Sequence, residues 1–344
     1  MDGSRPYDGL TPDAVLDALQ SIGVRGDGRM LALNSYENRV YQIALEDDIE
    51  EGTGAPSSPV FVVAKFYRPK RWSDAQILEE HAFGLALAER EIPVVAPQVI
   101  AKKTLHEFNG FRFALYPRRG GRTPELEDDK VLEWIGRFLG RIHAVGATSL
   151  FKKRPALNAV TFGTEPRDWL LASGLIPADL KEVWSGVAAE ALEGATRAFK
   201  EVRPKIIRLH GDCHVGNILW TNEGNRAGAL SGPHFVDLDD ARNGPAAQDV
   251  WMLLAGDRDT ATRQLHSLLE GYEKFHEFDR GQLRLIEPLR TLRLLHYSYW
   301  LASRWADPAF PAAFPWFGTQ RYWQDRILEL REQTSAMEEE PLSV

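Results

Sequence analysis

The sequence predicts an α+β chain of two lobes, a small, mostly antiparallel β lobe followed by a larger, mainly helical one. Three observations lead there. Strand-like runs rich in Val, Ile, Tyr and Phe crowd the first third, at 30–45, 60–67 and 111–116. From Asp129 onward apolar residues recur at every third or fourth position, the period of helices. Between the two patterns Pro117 and the Gly/Arg-rich stretch 118–124 mark a shift of composition, which divides the chain into residues 1–117 and 118–344. At 344 residues the chain is long enough to give each lobe a core.

Bulk properties exclude some classes. A net charge of −8 argues against a general nucleic-acid binder, which carries a basic stripe. The single cysteine, Cys213, rules out an internal disulfide and suits a reducing compartment. The first ten residues are polar and lack an apolar signal core, and no apolar run approaches the roughly 18 residues that span a bilayer. A cytoplasmic protein without a membrane partner is expected, compact enough to act as a monomer.

In chain order, Thr11-Pro12-Asp13 caps a helix whose apolar residues Val15, Leu16 and Leu19 dock it on the lobe. Strands follow at 30–45 and 60–67, separated by a loop at 46–59 that is acidic and then rich in Gly, Pro and Ser. The turn Asn34-Ser35-Tyr36-Glu37-Asn38-Arg39 offers backbone N–H groups and the Ser35 hydroxyl to a phosphate; lacking glycines, it reads equally as a plain hairpin turn. Val62-Val63-Ala64-Lys65-Phe66 matches the strand whose lysine reaches nucleotide phosphates and pairs with a helix glutamate. Lysines also sit on solvated strand edges, so Lys65 gains its meaning from the residues downstream.

Ser73-Asp74-Ala75-Gln76 opens a helix with an apolar face of Ile77, Leu78, Phe83, Leu85 and Leu87. Glu79 and Glu80 are both placed to hold Lys65, and Glu80 is chosen, the other being solvated. Pro93 and Pro97 stop the helix. Val99-Ile100 and 111–116 are the next strands, with Asn109-Gly110 as a hairpin turn. Pro117 ends the second, and the backbone of Leu115 and Tyr116 becomes a hinge that can hydrogen-bond adenine.

The chemistry concentrates in Leu209-His210-Gly211-Asp212-Cys213-His214-Val215-Gly216-Asn217 and in Phe235-Val236-Asp237-Leu238-Asp239-Asp240. Polar groups here lie among apolar neighbours, where each needs a partner or an ion. Asp212 and Asn217 have the D-x-x-x-x-N spacing of a kinase catalytic loop, in which Asp receives a hydroxyl proton and Asn holds magnesium. Asp237 ends an apolar strand, the position of a second metal-binding carboxylate. A base, an amide oxygen and a carboxylate are what phosphoryl transfer asks of a protein, because that chemistry is mostly positioning and charge neutralisation. Read instead as the H-x-D-x-H metal site of a hydrolase, the stretch leaves Asn217 and Asp237 unused, and those hard oxygens suit magnesium. An inactive binding module would be expected to lack at least one of Lys65, Asp212, Asn217 and Asp237. Cys213 adjoins the base, where an oxidant would act on activity, although small buried cysteines are usually inert.

Helices are expected at 129–143, 168–173, 180–199, 248–255 and 283–305, with the acidic residues after Gln333 frayed. His143 reads as a hydrogen-bonded core residue and Asp249 as a support of the catalytic loop. The aromatic stripe of 283–305 reads as packing, because its interleaved charge is too sparse for a nucleic-acid platform.

Together these residues resemble the aminoglycoside phosphotransferase/choline-kinase group, whose signature H-G-D-x-H-x-x-N and following strand-end Asp match His210-Gly211-Asp212, His214, Asn217 and Asp237. Within that group the likeness is closest to bacterial serine/threonine protein kinases, through 33–41, 65–69, 76–81, 208–220, 235–245 and 304–311. The resemblance implies a protein-kinase-like fold that binds ATP and Mg²⁺. It implies that Ser35 contacts the phosphates, that Lys65 holds them with Glu80, and that Asn217 and Asp237 take the metal. Asp212 then receives the proton of a serine or threonine on a protein substrate, this chain included. Small alcohols such as choline, homoserine or aminoglycosides are the alternative acceptors, since fold alone names none.

Overall fold

The computed structural model describes residues 5–46, 60–221 and 231–344. The loop expected at 46–59 therefore lies, beyond Glu46, outside the described residues. The chain divides into two compact units, Met1–Gly120 and Gly121–Val344.

In the first unit, helix α1 (Pro12–Ser21) is capped by the Thr11 hydroxyl, which accepts from the Ala14 N–H at 3.2 Å, and buries Val15, Ala18 and Leu19. Strands β1 (Gly26–Leu33), β2 (Arg39–Leu45), β3 (Phe61–Phe66), β4 (His106–Phe108) and β5 (Phe111–Pro117) form one antiparallel sheet in the order β1-β2-β3-β5-β4. The register seats Lys65 between Val40 and Ala114, in the central strand. Apolar residues of the inner face, among them Ile43, Val62, Ala64, Phe66 and Phe113, close the core with α1. Helix α2 (Asp74–Ala88) starts at a reciprocal cap between Ser73 and Gln76.

The hairpin across Asn109-Gly110 is present, but its first arm is β4 and not Val99-Ile100. Ile100 pairs only with Lys103 across a turn in which Ala101 and Lys102 take left-handed φ values of 48° and 65°. That turn reverses the chain before a strand can extend.

The second unit carries α3 (Asp129–Gly146), a π-helical turn at Val160–Thr164, α4 (Glu165–Ser173) and α5 (Ala178–Val202). Two short antiparallel ladders follow, β6 (Ile206–Leu209) with β9 (Arg242–Pro245) and β7 (Ile218–Thr221) with β8 (Gly232–Phe235). Then come α6 (Ala247–Trp251), α7 (Arg258–Tyr272), α8 (Ile286–Ser303), α9 (Ala309–Ala313) and α10 (Gln320–Ala336). The expected helix at 248–255 is thus shorter, and the last helix runs three residues past Gln333. Helices α3 and α7 cross with backbones almost touching: a Cβ on Gly271 would lie 1.9 Å from the Glu133 carbonyl oxygen, and one on Gly140 2.4 Å from that of Tyr272. This crossing sets His143 of α3 against Tyr272 of α7. Among the described residues no helix is long and apolar enough to cross a membrane.

Candidate active site

The two ladders hold the ends of the segments that carry Asp212 and Asp237. Gly211 has φ +86°, and a Cβ there would sit 2.2 Å from the Asp240 carbonyl oxygen, so only glycine lets the two segments approach. The loop is braced from beneath by a fully buried carboxylate. Asp249 of α6 accepts the His210 N–H on Oδ2 and the Gly211 N–H on Oδ1, each at 2.8 Å. His143 Nε2 lies 2.9 Å from the same Oδ2, and its Nδ1 lies 2.9 Å from the Tyr272 hydroxyl. Gln248 Nε2 donates to the Gly211 carbonyl at 3.2 Å. Helices α3, α6 and α7 thereby fix the loop through its main chain rather than through the Asp212 side chain.

Asp212 and Asn217 are joined directly. Asn217 Nδ2 donates to the Asp212 carbonyl at 2.9 Å and reaches Oδ2 at 3.5 Å, which turns the amide oxygen of Asn217 the other way. The peptide entering Asp237 is bonded to both ends of this loop: the Val236 N–H donates to the Asn217 carbonyl at 3.0 Å, and His210 Nε2 donates to the Val236 carbonyl at 2.9 Å. Asp237 itself adopts a left-handed conformation, φ 58° and ψ 63°, two residues past the end of β8. Such a backbone is costly for a non-glycine residue and is concentrated at functional sites.

An arginine and a histidine flank the Asp212 carboxylate. Arg293 of α8 donates from Nη1 to Oδ1 at 2.8 Å, and His214 Nε2 lies 3.4 Å from Oδ2. Burial works to raise the Asp212 carboxyl, but the His214 hydrogen bond and the Arg293 charge outweigh burial and Asp240, and hold it at about 2. The group is therefore ionised and able to take a proton. Asp240 is tied to Arg242 at 2.6 Å, a loop-shaping role. Cys213 is fully buried, and burial, with the Asp249 and Asp212 charges, pushes its thiol well up. A protonated, enclosed thiol is a poor nucleophile, so redox control at this position loses its support.

The Asn217 amide and the Asp237 carboxylate are hard oxygen donors. They fit a small divalent cation that takes one or two protein oxygens and completes its shell with phosphate and water. Among the described residues no three His, Cys, Asp or Glu side chains group as a metal cage. His210 spends Nε2 on a carbonyl, and His214 Nδ1 accepts from the Gly216 N–H at 3.0 Å, which occupies one ring nitrogen of each.

In the first unit, Lys65 is buried, with Nζ 5.4 Å from the centre of the Tyr67 ring. Glu80 is buried where Glu79 is partly exposed, and its Oε2 lies 3.8 Å from His81 Nε2. His81 Nε2 is 2.7 Å from the Tyr67 hydroxyl, itself 2.8 Å from that of Tyr116. Lys65, Glu80 and Tyr116 thus meet around one buried Tyr–His pair. The Leu115 carbonyl accepts from the Gln98 N–H at 2.7 Å, so one hydrogen bond of the expected hinge is made within the chain. Ser35 is half-buried in a turn anchored by its neighbours: Glu37 lies 3.7 Å from Arg68 and 3.8 Å from Arg71, and Asn38 Oδ1 accepts from the Arg68 N–H at 3.1 Å. Sequence reasoning missed Arg293, because nothing local marks an arginine in an apolar-aromatic helix as the partner of a residue 81 positions earlier. The His214 contact was legible only as part of the motif.

An ionised loop aspartate bonded to an asparagine, with an aspartate two residues past β8 on the neighbouring segment, is the donor set that phosphoryl transfer uses. Residues 31–286 match the phosphotransferase enzyme family, and the chain belongs to that family. It is 45% identical over 335 residues to stress response kinase A of Escherichia coli K12, covering 97% of this chain and 96% of that one. It is 42% identical over 343 residues to the serine/threonine protein kinase RdoA of Salmonella typhimurium LT2, covering 100% and 98%. Among solved structures, amicoumacin kinase hAmiN in complex with AMP-PNP, Ca²⁺ and Ami has a TM-score of 0.65 at 18% identity, covering 92% and 90%, a likeness of fold. The chain is an enzyme of the kinase class that uses ATP as phosphoryl donor.

Proposed function

We propose that this enzyme is a serine/threonine protein kinase of the stress-response type, transferring the γ-phosphoryl group of ATP to serine or threonine hydroxyls, its own included. What carries the reading is 42% identity spread over the whole chain with a relative named as a serine/threonine protein kinase. Asp212 accepts the hydroxyl proton as the acceptor oxygen bonds to phosphorus and the bond to the ADP oxygen breaks. Arg293 and Asn217 hold the carboxylate in place for that transfer. Asn217 and Asp237 hold Mg²⁺, which supplies neutralisation of phosphate charge. Lys65, fixed by Glu80, binds the phosphates, the turn at Ser35 contacts them, and the backbone of Leu115 and Tyr116 faces adenine. The nucleotide contacts fall in residues 1–117 and the catalytic groups in 118–344. The protein acts as a cytoplasmic monomer.

A small-molecule kinase is the second reading, favoured by structural neighbours such as a microcompartment-associated aminopropanol kinase, TM-score 0.65 at 17% identity. Against it, a cationic acceptor such as choline or an aminoglycoside would meet the Arg293 guanidinium at the base. Incubation with γ-labelled ATP separates the two. Label is expected in the protein itself and in serine/threonine peptides; label confined to choline, homoserine or aminoglycosides in a metabolite panel would overturn the proposal.

A further inference from the structure

We propose that Arg293 selects the acceptor, favouring a serine or threonine with an aspartate or glutamate within two residues of it. The inference rests on the protein-kinase reading and names its substrate class. Arg293 reaches Asp212 from α8 with its side chain still 39% exposed, while that of Asp212 is 24% exposed. A hydroxyl that gives its proton to Asp212 comes within ~3 Å of the carboxylate, and hence within about 6 Å of the guanidinium bonded to it. An extended peptide advances ~3.4 Å per residue, so side chains one or two positions from the hydroxyl pass the same guanidinium. Arginine carries about five N–H donors, more than its bond to Asp212 uses.

A second guanidinium lies near α8, itself tied to Asp240. On α8, His296 stacks on Phe162 with ring centres 4.0 Å apart, and the Arg242 guanidinium lies 4.6 Å from the centre of that Phe162 ring. Burial first, then Arg242, with Arg293 and Arg304 adding and Asp240 opposing, pushes the His296 imidazole down to about 3. Asp212 and Asp240 are each matched by an arginine, Arg293 and Arg242. A carboxylate beside the acceptor hydroxyl is attracted there, a neutral side chain is indifferent, and a lysine is repelled.

The test uses three peptides with one serine each, identical except for glutamate, glutamine or lysine at the positions flanking it. For the wild type, kcat/KM is expected to be about tenfold higher for the glutamate peptide than for the glutamine one, lower still for lysine, with the spread shrinking as salt rises. In Arg293→Ala the absolute rate falls because Asp212 loses a partner. The ratio between peptides, which a purely structural role would not move, collapses toward one, and Arg293→Lys retains part of it. Serine-to-alanine versions of the peptides, followed by fluorescence anisotropy, report the same preference in a variant too slow to assay. A wild-type ratio at or below one, or an unchanged preference in Arg293→Ala, overturns the inference. Equal transfer to all three peptides defeats it alone; no transfer to any peptide or to the protein itself defeats the kinase reading.

Discussion

Asp212→Ala is expected to lower turnover by roughly 10²–10⁴-fold, the scale of a positioned acid–base group. The loop should keep its shape, because what fixes it is main chain: Asp249 holds the His210 and Gly211 amides, and Asn217 bonds the Asp212 carbonyl rather than depending on its side chain. Arg293 loses its carboxylate partner but is exposed enough to be solvated, so the stability cost is small. The measurement is initial-rate transfer from labelled ATP, alongside a urea unfolding curve that shows the fold retained. Near-normal transfer by a folded Asp212→Ala protein would remove this residue from the role of base.

The second large effect is on stability. Asp249 is fully buried, and its two oxygens satisfy two amides of the catalytic loop and face His143. Asp249→Ala strands all three donors without water to replace the carboxylate. At ~1–3 kcal/mol for each unsatisfied buried group, and with relaxation recovering part of that, a loss of about 3–5 kcal/mol is expected. Asp249→Asn, which keeps one acceptor oxygen, should lose less. Activity falls with both, since the loop that presents Asp212 is no longer held. A denaturant midpoint shifted by no more than the equivalent of ~1 kcal/mol in Asp249→Ala would show that the carboxylate does not brace the loop.

Much of this was legible in the sequence, and the reason is locality. Helix starts such as Thr11-Pro12 and Ser73 to Gln76 announce themselves within four residues, through side chains that cap their own backbone. The spacing of Asp212 and Asn217 works likewise, because the bond between them closes within one turn of the loop. Lys65 was readable as a strand lysine, whereas which of the neighbours Glu79 and Glu80 is the buried one shows only in the fold, as Glu80. What escaped depends on contacts made far along the chain. Arg293 gains its role from α8 reaching the catalytic loop, and His143, rightly read as a hydrogen-bonded core residue, gets its particular partners Tyr272 and Asp249 from the tight crossing of α3 and α7. Val99-Ile100 looked like a strand by composition, yet the left-handed turn at Ala101-Lys102 passes the pairing edge to His106–Phe108. A β-branched pair says only that a strand is permitted; a turn decides whether it forms.

The proposed function stands on Asn217 and Asp237 supplying oxygens to a divalent ion at the phosphates that Asp212 would serve. A magnesium titration of γ-phosphate transfer in the wild type, Asn217→Ala and Asp237→Ala tests this most directly. The account predicts saturable activation of the wild type, a requirement for roughly 10–100-fold more magnesium in Asn217→Ala, and no transfer by Asp237→Ala at any concentration. An Asp237→Ala enzyme that transfers phosphate with the wild-type magnesium dependence would contradict it.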